Sequence, residues 1–161
     1  MTDGLVDGQD TMHDRGMRPV QIVLDAQDTQ RLATFWAAAL ADRGYRLPVP
    51  PDGAPDWPTW LRAQGVPEEE WGAGFALDND DETQPRVYVQ RVPEAKAAKN
   101  RVHLDLLAGG GQRVPLPEQE QRVAAAVARL TALGATHVET RTELGTHWAV
   151  LRDPEGNEFC A

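Results

Sequence analysis

The sequence has little cysteine and no long apolar run. Its 161 residues include a single cysteine, Cys160, so no disulfide can form within the chain and a cysteine-rich metal site is excluded. No stretch approaches the roughly 18 to 20 apolar residues that span a bilayer, and the N-terminus lacks the apolar core of a signal peptide. These features together favour a cytoplasmic protein.

An excess of positive charge is also absent. The chain has 16 Lys and Arg against 25 Asp and Glu, which gives a net charge of −9 and a pI near 4.8. A protein that binds a phosphate backbone needs a basic face to release counterions. We therefore expect no nucleic acid as a partner, and nothing in the sequence points to a membrane.

The composition suits one domain with a core of its own, since 41% of the residues are hydrophobic. Residues 1 to 16 carry Asp, Gly, Thr and Gln with almost no apolar periodicity, which is typical of a flexible leader. We expect the domain to occupy residues 17–161.

The first half of this domain begins with a strand and a helix. A β-branched run over residues 19–25 predicts a strand, with Gln21 on one face and Ile22 on the other. Asp28 then suits a helix N-cap, and Gly44 suits the helix end. The apolar stripe of the helix is Leu32, Phe35, Trp36, Ala39 and Leu40.

A region rich in proline and tryptophan follows, over residues 47–74, where we expect irregular structure with a short helix at about 58–64. Strand signals return at residues 74–77 and 86–92. The first half is therefore predicted as strand, helix, then further strands.

The second half repeats that order. Residues 100–107 predict a strand, and a helix follows over about 118–133, with Gly134 as its stop. The chain then closes with three short predicted strands, at residues 136–140, 147–151 and 158–160. We therefore predict an α+β fold of two tandem βαβββ modules, the first over about 17–93 and the second over about 100–161.

Four segments give the sequence a resemblance to the vicinal oxygen chelate superfamily, and within it to glyoxalase-like and bleomycin-resistance-type proteins. They are residues 92–96, 99–105, 133–135 and 153–160, the last reading Asp-Pro-Glu-Gly-Asn-Glu-Phe-Cys. The resemblance implies that the modules form an open, mixed-sheet barrel with the helices outside. It also implies a pocket on one face of the strands.

In metal-dependent relatives, the first and last strands of each module give one ligand each. Here the resemblance places Gln21 and His103 at the first-strand positions, with Gln90 and Cys160 at the last-strand positions. Cys160 stands where a carboxylate is usual. Glu158, on the same strand face, would serve only if the strand were shifted. We expect the metal site, with Gln21, His103 and Glu158 as its ligands, to have been lost; the alternative is a weakly bound divalent ion.

The candidate catalytic groups are His103, Asp105 and Glu158. Strand alternation puts His103 and Asp105 on one face, which the resemblance makes the pocket face, and an imidazole beside a carboxylate can act as a general base. The alternative is a histidine with a local hydrogen bond and no chemical role. Glu158 is either a pocket carboxylate or the partner of a basic residue such as Arg101 or Arg152.

Several further side chains are candidates for ligand binding. Tyr88 shares a strand face with Gln90, whereas His147 and Trp148 lie on opposite faces, so at most one of them faces the pocket. Trp57 and Trp60 either cover a ligand or, as we favour, anchor their loop to the core. Cys160 is either a ligand or nucleophile, or an inert buried thiol.

Two functions remain open at this point. One is an enzyme of the lyase, isomerase or dioxygenase type that acts on a small organic molecule, and the other is a protein that sequesters such a molecule without chemistry. A third possibility is a non-catalytic dimerising or regulatory domain. We also expect a homodimer, because open half-barrels leave strand edges that relatives cover by pairing.

Overall fold

The computed structural model describes residues 20–161, so the predicted leader lies outside the described residues. In this part of the chain no helix is long and apolar enough to cross a membrane. Three α-helices are α1 (Thr29–Ala39), α2 (Trp57–Ala63) and α3 (Leu116–Ala132). The strands are β1 (Gln21–Ala26), β2 (Tyr45–Arg46), β3 (Gly74–Asn79), β4 (Arg86–Arg91), β5 (Thr136–Glu143), β6 (Thr146–Arg152) and β7 (Glu158–Cys160).

The first module is a four-stranded sheet with the order β1-β4-β3-β2. β1 runs parallel to β4, and the other neighbours are antiparallel. Side chains alternate along β1 as predicted, because Gln21, Val23 and Asp25 are exposed while Ala26 is buried. The two-residue strand β2 was not predicted, since its pairing with β3 depends on residues more than thirty positions away.

Helix α1 covers the other face of this sheet. The Asp28 carboxylate accepts a 3.0 Å hydrogen bond from the backbone N–H of Arg31, as expected for an N-cap. All five residues of the predicted apolar stripe are buried. The helix ends at Leu40, and a 3₁₀ turn leads to Gly44, whose φ of 81° is the left-handed conformation that glycine adopts without strain.

The second module contains the three-stranded sheet β5-β6-β7, with all pairs antiparallel and α3 packed on one face. The predicted strand over 100–107 is wrong as a regular strand. This segment joins β7 through one parallel bridge, Asp105 to Cys160, flanked by hydrogen bonds from Leu106 N–H and to Leu104 C=O, each 2.9 Å. The ladder stops there because Leu107 has a φ of 49°, which turns the backbone out of the sheet.

The order of pairing nevertheless repeats between modules. The 100–107 segment lies parallel to the last strand of its module, as β1 does in the first, and the two remaining strands follow in the same order. The structure is thus a mixed α+β fold built from two βαβββ units. The two sheets do not close into a barrel within the described residues.

An aromatic cluster joins the two modules. Phe35 and Trp36 of α1 contact Phe159 of β7, with ring centroids 6.0 and 5.1 Å apart and edge-to-face geometry. The Glu155 carboxylate accepts hydrogen bonds of 3.1 Å from the backbone N–H groups of Gln27 and Asp28 at the start of α1. These contacts join the second module to α1, which packs on the sheet of the first module.

Candidate functional site

A cleft of about 1120 Å³ lies on the open face of the second module. Its floor is β6 and β7, and its walls are the 103–107 segment, the Gly109–Gly111 loop and the linker residues 96–99. β5 adds Glu139 and Arg141 at the far side. The first module contributes no residue to this cleft.

Strand alternation in β6 decides between His147 and Trp148. Ala149 and Leu151 are fully buried under α3, so Trp148 and Val150 point to the opposite side, into the cleft. His147 borders the cleft, but its ring nitrogen lies 2.7 Å from the Thr142 hydroxyl. Trp148 is therefore the aromatic surface of the cleft.

Within the cleft, Nδ1 of His103 lies 2.9 Å from Oδ1 of Asp105. With Nδ1 donating to the carboxylate, Nε2 keeps its lone pair and is free to accept a proton. Sγ of Cys160 is 4.0 Å from the same Nδ1, and ligating atoms of the three side chains all lie within 4.8 Å of one another. The structure therefore brings together His103, Asp105 and Cys160. Strand alternation predicted a shared face for His103 and Asp105, whereas only the resemblance placed Cys160 at the last-strand position.

The Cys160 thiol is a weak acid in this position. Burial and the neighbouring Asp105 carboxylate raise the pKa of the thiol to about 11. The thiolate is the reactive form of cysteine, so Cys160 is largely protonated and unreactive near neutral pH.

Glu158 also borders the cleft, but its carboxylate is engaged. Oε2 accepts hydrogen bonds of 3.0 Å from the backbone N–H of Asn100 and 3.1 Å from Nζ of Lys96. These two donors lower the pKa of Glu158 to about 2. Its basic partner is thus Lys96, neither Arg101 nor Arg152, and the contact holds the linker against β7.

The first-module candidates lie elsewhere. Gln21 and Gln90 are on the exposed face of β1 and β4, where Nε2 of Gln90 donates to Asp25 at 2.8 Å. Tyr88 is on the same face of β4 and packs across Gly74. None of the three borders the second-module cleft, because docking through α1 leaves the two open sheet faces separate.

The tryptophans of the insertion are bonded within the insertion itself. Trp57 donates to the carbonyl of Pro48 at 3.1 Å, and Trp60 approaches Asp52 at 3.4 Å. The two indoles contact each other edge-to-face at 5.6 Å, outside the cleft. Neither indole covers this cleft, and neither belongs to the buried core, so the two side chains hold the insertion to itself.

Sequence reasoning missed two groups. Glu139 and Arg141 reach the cleft from β5, and alternation alone put them on one face without showing which face was open. Asp153 accepts the N–H groups of Glu155 and Asn157 and the indole N–H of Trp36, so the Asp-Pro-Glu-Gly-Asn motif shapes a turn and joins the modules.

Sequence comparison agrees with this architecture. The family model described as "Glyoxalase-like domain" matches residues 21–161. The chain belongs to this family. The family lies within the vicinal oxygen chelate superfamily. Among curated protein sequences, none matches the chain significantly.

Solved structures show the same fold at low sequence identity. A glyoxalase/bleomycin resistance protein/dioxygenase family enzyme from Burkholderia phytofirmans has a TM-score of 0.52 and 16% identity, covering 89% of this chain and 96% of its own. A fosfomycin resistance protein from Mesorhizobium loti has a TM-score of 0.52 and 11% identity, over 91% and 89%. A glyoxalase/dioxygenase from Nostoc punctiforme has a TM-score of 0.51 and 17% identity, covering 99% of this chain and 95% of its own.

Proposed function

We propose that this glyoxalase-like protein is an enzyme that binds a small organic molecule in the second-module cleft and moves a proton on it, with His103 as general base. The observation that carries this proposal is the 2.9 Å contact between His103 and Asp105 inside the cleft. The pairing orients the ring and leaves Nε2 directed away from the carboxylate.

The step is a transfer between the ligand and Nε2. A C–H or O–H group of the bound molecule gives its proton to Nε2, and the electron pair stays on the ligand, as an enolate or alkoxide. The imidazolium that forms keeps its Nδ1–H on Asp105, whose negative charge stabilises it. Return of the proton to another atom of the ligand completes an isomerisation or assists an elimination.

Solvent deuterium exchange tests this without knowledge of the natural substrate. A panel of small hydroxyketones, ketoacids and aldehydes is incubated with the protein in D₂O, and loss of C–H signals is followed by NMR. We expect exchange in at least one compound, reduced at least a hundredfold by His103→Gln. His137→Gln, an exposed histidine that does not border the cleft, is the matched control. Exchange unaffected by His103→Gln overturns the proposal.

His103, Asp105 and Cys160 also offer the donors for a divalent metal of the kind used in metal-dependent relatives. Imidazole, carboxylate and thiol atoms within 4.8 Å fit a borderline ion such as Zn²⁺ better than Mg²⁺. When bound, such an ion supplies Lewis-acid polarisation of a ligand oxygen. Binding is weak, because the Cys160 thiol, with its pKa of about 11, must lose its proton first.

Metal titration tests whether these three side chains bind a divalent ion. We expect Co²⁺ to give a thiolate charge-transfer band that is lost in Cys160→Ser, with zinc retained only partly after dialysis. A band that persists in Cys160→Ser contradicts this assignment.

A second candidate function is sequestration of the molecule without chemistry. It is favoured by Cys160, a largely neutral thiol where relatives carry a carboxylate, and by Glu158, which is held by Lys96 and Asn100. Compounds that bind with no deuterium exchange in any panel member would support this candidate over the enzyme.

A homodimer is the assembly we propose. The exposed β1 and β4 face carries Val23, which is 44% exposed, and the edge strand β5 is exposed along all eight residues. Light scattering should give twice the chain mass of 17.7 kDa, and a monomer mass would contradict the proposal.

A further inference from the structure

The charges that line the second-module cleft are unlike those of the chain as a whole. The chain has 25 acidic against 16 basic residues, so a typical surface of this protein is acidic. The cleft instead balances four of each sign. The basic side chains are Lys96, Lys99, Arg141 and Arg152, and the acidic ones are Asp105, Glu139, Glu155 and Glu158.

All four acidic side chains are already engaged within the protein. Asp105 contacts His103 at 2.9 Å, and Glu139 contacts Arg141 at 2.6 Å. Glu155 accepts two backbone N–H groups at the start of α1, and Glu158 accepts from Asn100 and Lys96. A cationic ligand would therefore have to share its carboxylate with a donor of the protein.

Two of the four basic side chains are not engaged. Lys96 and Arg141 pair with Glu158 and Glu139, respectively. The side chains of Lys99 and Arg152 make no hydrogen bond or ion pair with any described residue. In a protein with a surplus of acidic partners, two unpaired cationic side chains in this cleft leave a site for an external anion.

Both free cations lie at the same end of the cleft. Arg152 is directly opposite Glu158 in the β6–β7 ladder, and Glu158 holds the backbone of Asn100, which follows Lys99. The parallel bridge between Asp105 and Cys160 puts His103 level with Glu158, at that end too. An anionic group held there would lie beside the proposed base.

The middle of the β6 floor offers the aromatic side chain of Trp148 and the aliphatic side chain of Val150. Trp148 is half-buried on the same face of β6 as Val150, and its indole N–H has no hydrogen-bond partner among the described residues. An aromatic face with a free N–H suits a planar molecule with an oxygen at its edge.

We propose that the ligand of this cleft is a small planar carboxylate, with its carboxylate held by Lys99 and Arg152 and its flat part on Trp148. This inference rests on the proposed function of the cleft and adds the chemical class of its ligand. Lys99 and Arg152 are thus specificity-determining residues.

Matched probes test the charge requirement. Naphthalene-2-carboxylate and naphthalene-2-carboxamide have the same ring and nearly the same shape, and differ in charge. Calorimetric titration should show the carboxylate binding at least tenfold more tightly than the carboxamide. Addition of 0.3 M NaCl should weaken the binding of the carboxylate only. Equal dissociation constants for the two probes overturn the inference while leaving the proposed function in place.

Variants locate the recognition. Lys99→Gln and Arg152→Gln should each raise the dissociation constant of the carboxylate three- to tenfold, and the double variant should bind both probes equally. Arg101 is an exposed neighbour that does not border the cleft, so Arg101→Gln should change the dissociation constant of the carboxylate less than twofold. A carboxylate preference that survives in the double variant, or no binding of either probe, refutes the inference. The deuterium-exchange experiment with His103→Gln judges the proposed function separately.

Discussion

The indole Nε1 of Trp36, in the first module, donates a 3.2 Å hydrogen bond to Oδ2 of Asp153, in the second. Asp153 is 3% exposed and its other oxygen accepts the backbone N–H groups of Glu155 and Asn157. Burial raises the pKa of Asp153, and these donors oppose the rise. One buried carboxylate therefore holds both a turn and the contact between modules.

Replacing that indole should weaken the fold. Trp36→Phe keeps an aromatic ring against Phe159 but leaves the buried Asp153 carboxylate one donor short, which costs about 1 to 3 kcal/mol of unfolding free energy. Urea unfolding followed by circular dichroism measures this. Trp60→Phe, which removes only a 3.4 Å contact to an exposed carboxylate, should cost less and is the control. Equal losses in the two variants would contradict the assigned role.

The Glu158 contact predicts an acid-sensitive part of the stability. Its pKa is lowered from 4.5 to about 2 in the folded protein, so the unfolded chain binds the proton more strongly. This contribution is complete above pH 4.5 and is lost as the pH falls from 4.5 to 2.

Glu158→Gln should therefore lower the free energy of unfolding at pH 7 by about 1 to 3 kcal/mol. It should also make that free energy less dependent on pH between pH 5 and 2. The difference between wild type and variant in urea midpoint at several pH values measures it, since other groups cancel. Glu120 is exposed, so the urea midpoint of the Glu120→Gln variant should change with pH as the wild-type midpoint does. A wild-type minus Glu158→Gln difference that stays constant down to pH 2 would refute the contact.

The Cys160 thiol should react slowly at neutral pH. Because it is the sole cysteine, alkylation by iodoacetamide reports on it alone, and its rate should rise steeply toward pH 11. Asp105 raises the pKa of this thiol and Lys99 lowers it, so Asp105→Asn should speed alkylation at pH 8.5 and Lys99→Gln should slow it. Shifts of the same sign in both variants would disprove this electrostatic account.

Gly109 should resist substitution because its backbone lies against β6. A Cβ at this position would be 2.9 Å from the carbonyl oxygen of His147. Gly109→Ala should therefore displace the cleft loop and lower the free energy of unfolding by about 1 to 3 kcal/mol. Gly111→Ala has open space and carries only the strain of its φ of 76°, about 1 kcal/mol. The melting temperatures of the two variants measure this difference. A lower melting temperature for Gly111→Ala than for Gly109→Ala would contradict the prediction.

Local features were predictable from the sequence. The α1 helix follows from the N-cap Asp28 and a stripe of period 3.6, and α3 begins at Leu116, only two residues before its predicted start. The β5 strand continues to Glu143, beyond the predicted end at Thr140, because its pairing with β6 extends to the turn at Leu144. Such features depend on neighbouring residues, which a pattern of periods and caps contains.

The shared face of His103 and Asp105 was also predictable, because alternation within a strand is a local property, whereas the position of Cys160 followed only from the family resemblance. Tertiary structure alone decided that Gln21 and Gln90 lie outside that cleft, that Trp148 rather than His147 faces it, and that Glu158 is bound to Lys96. The physical reason is docking: Trp36, Phe159, Asp153 and Glu155 join segments more than a hundred residues apart, and this packing determines which sheet face stays open.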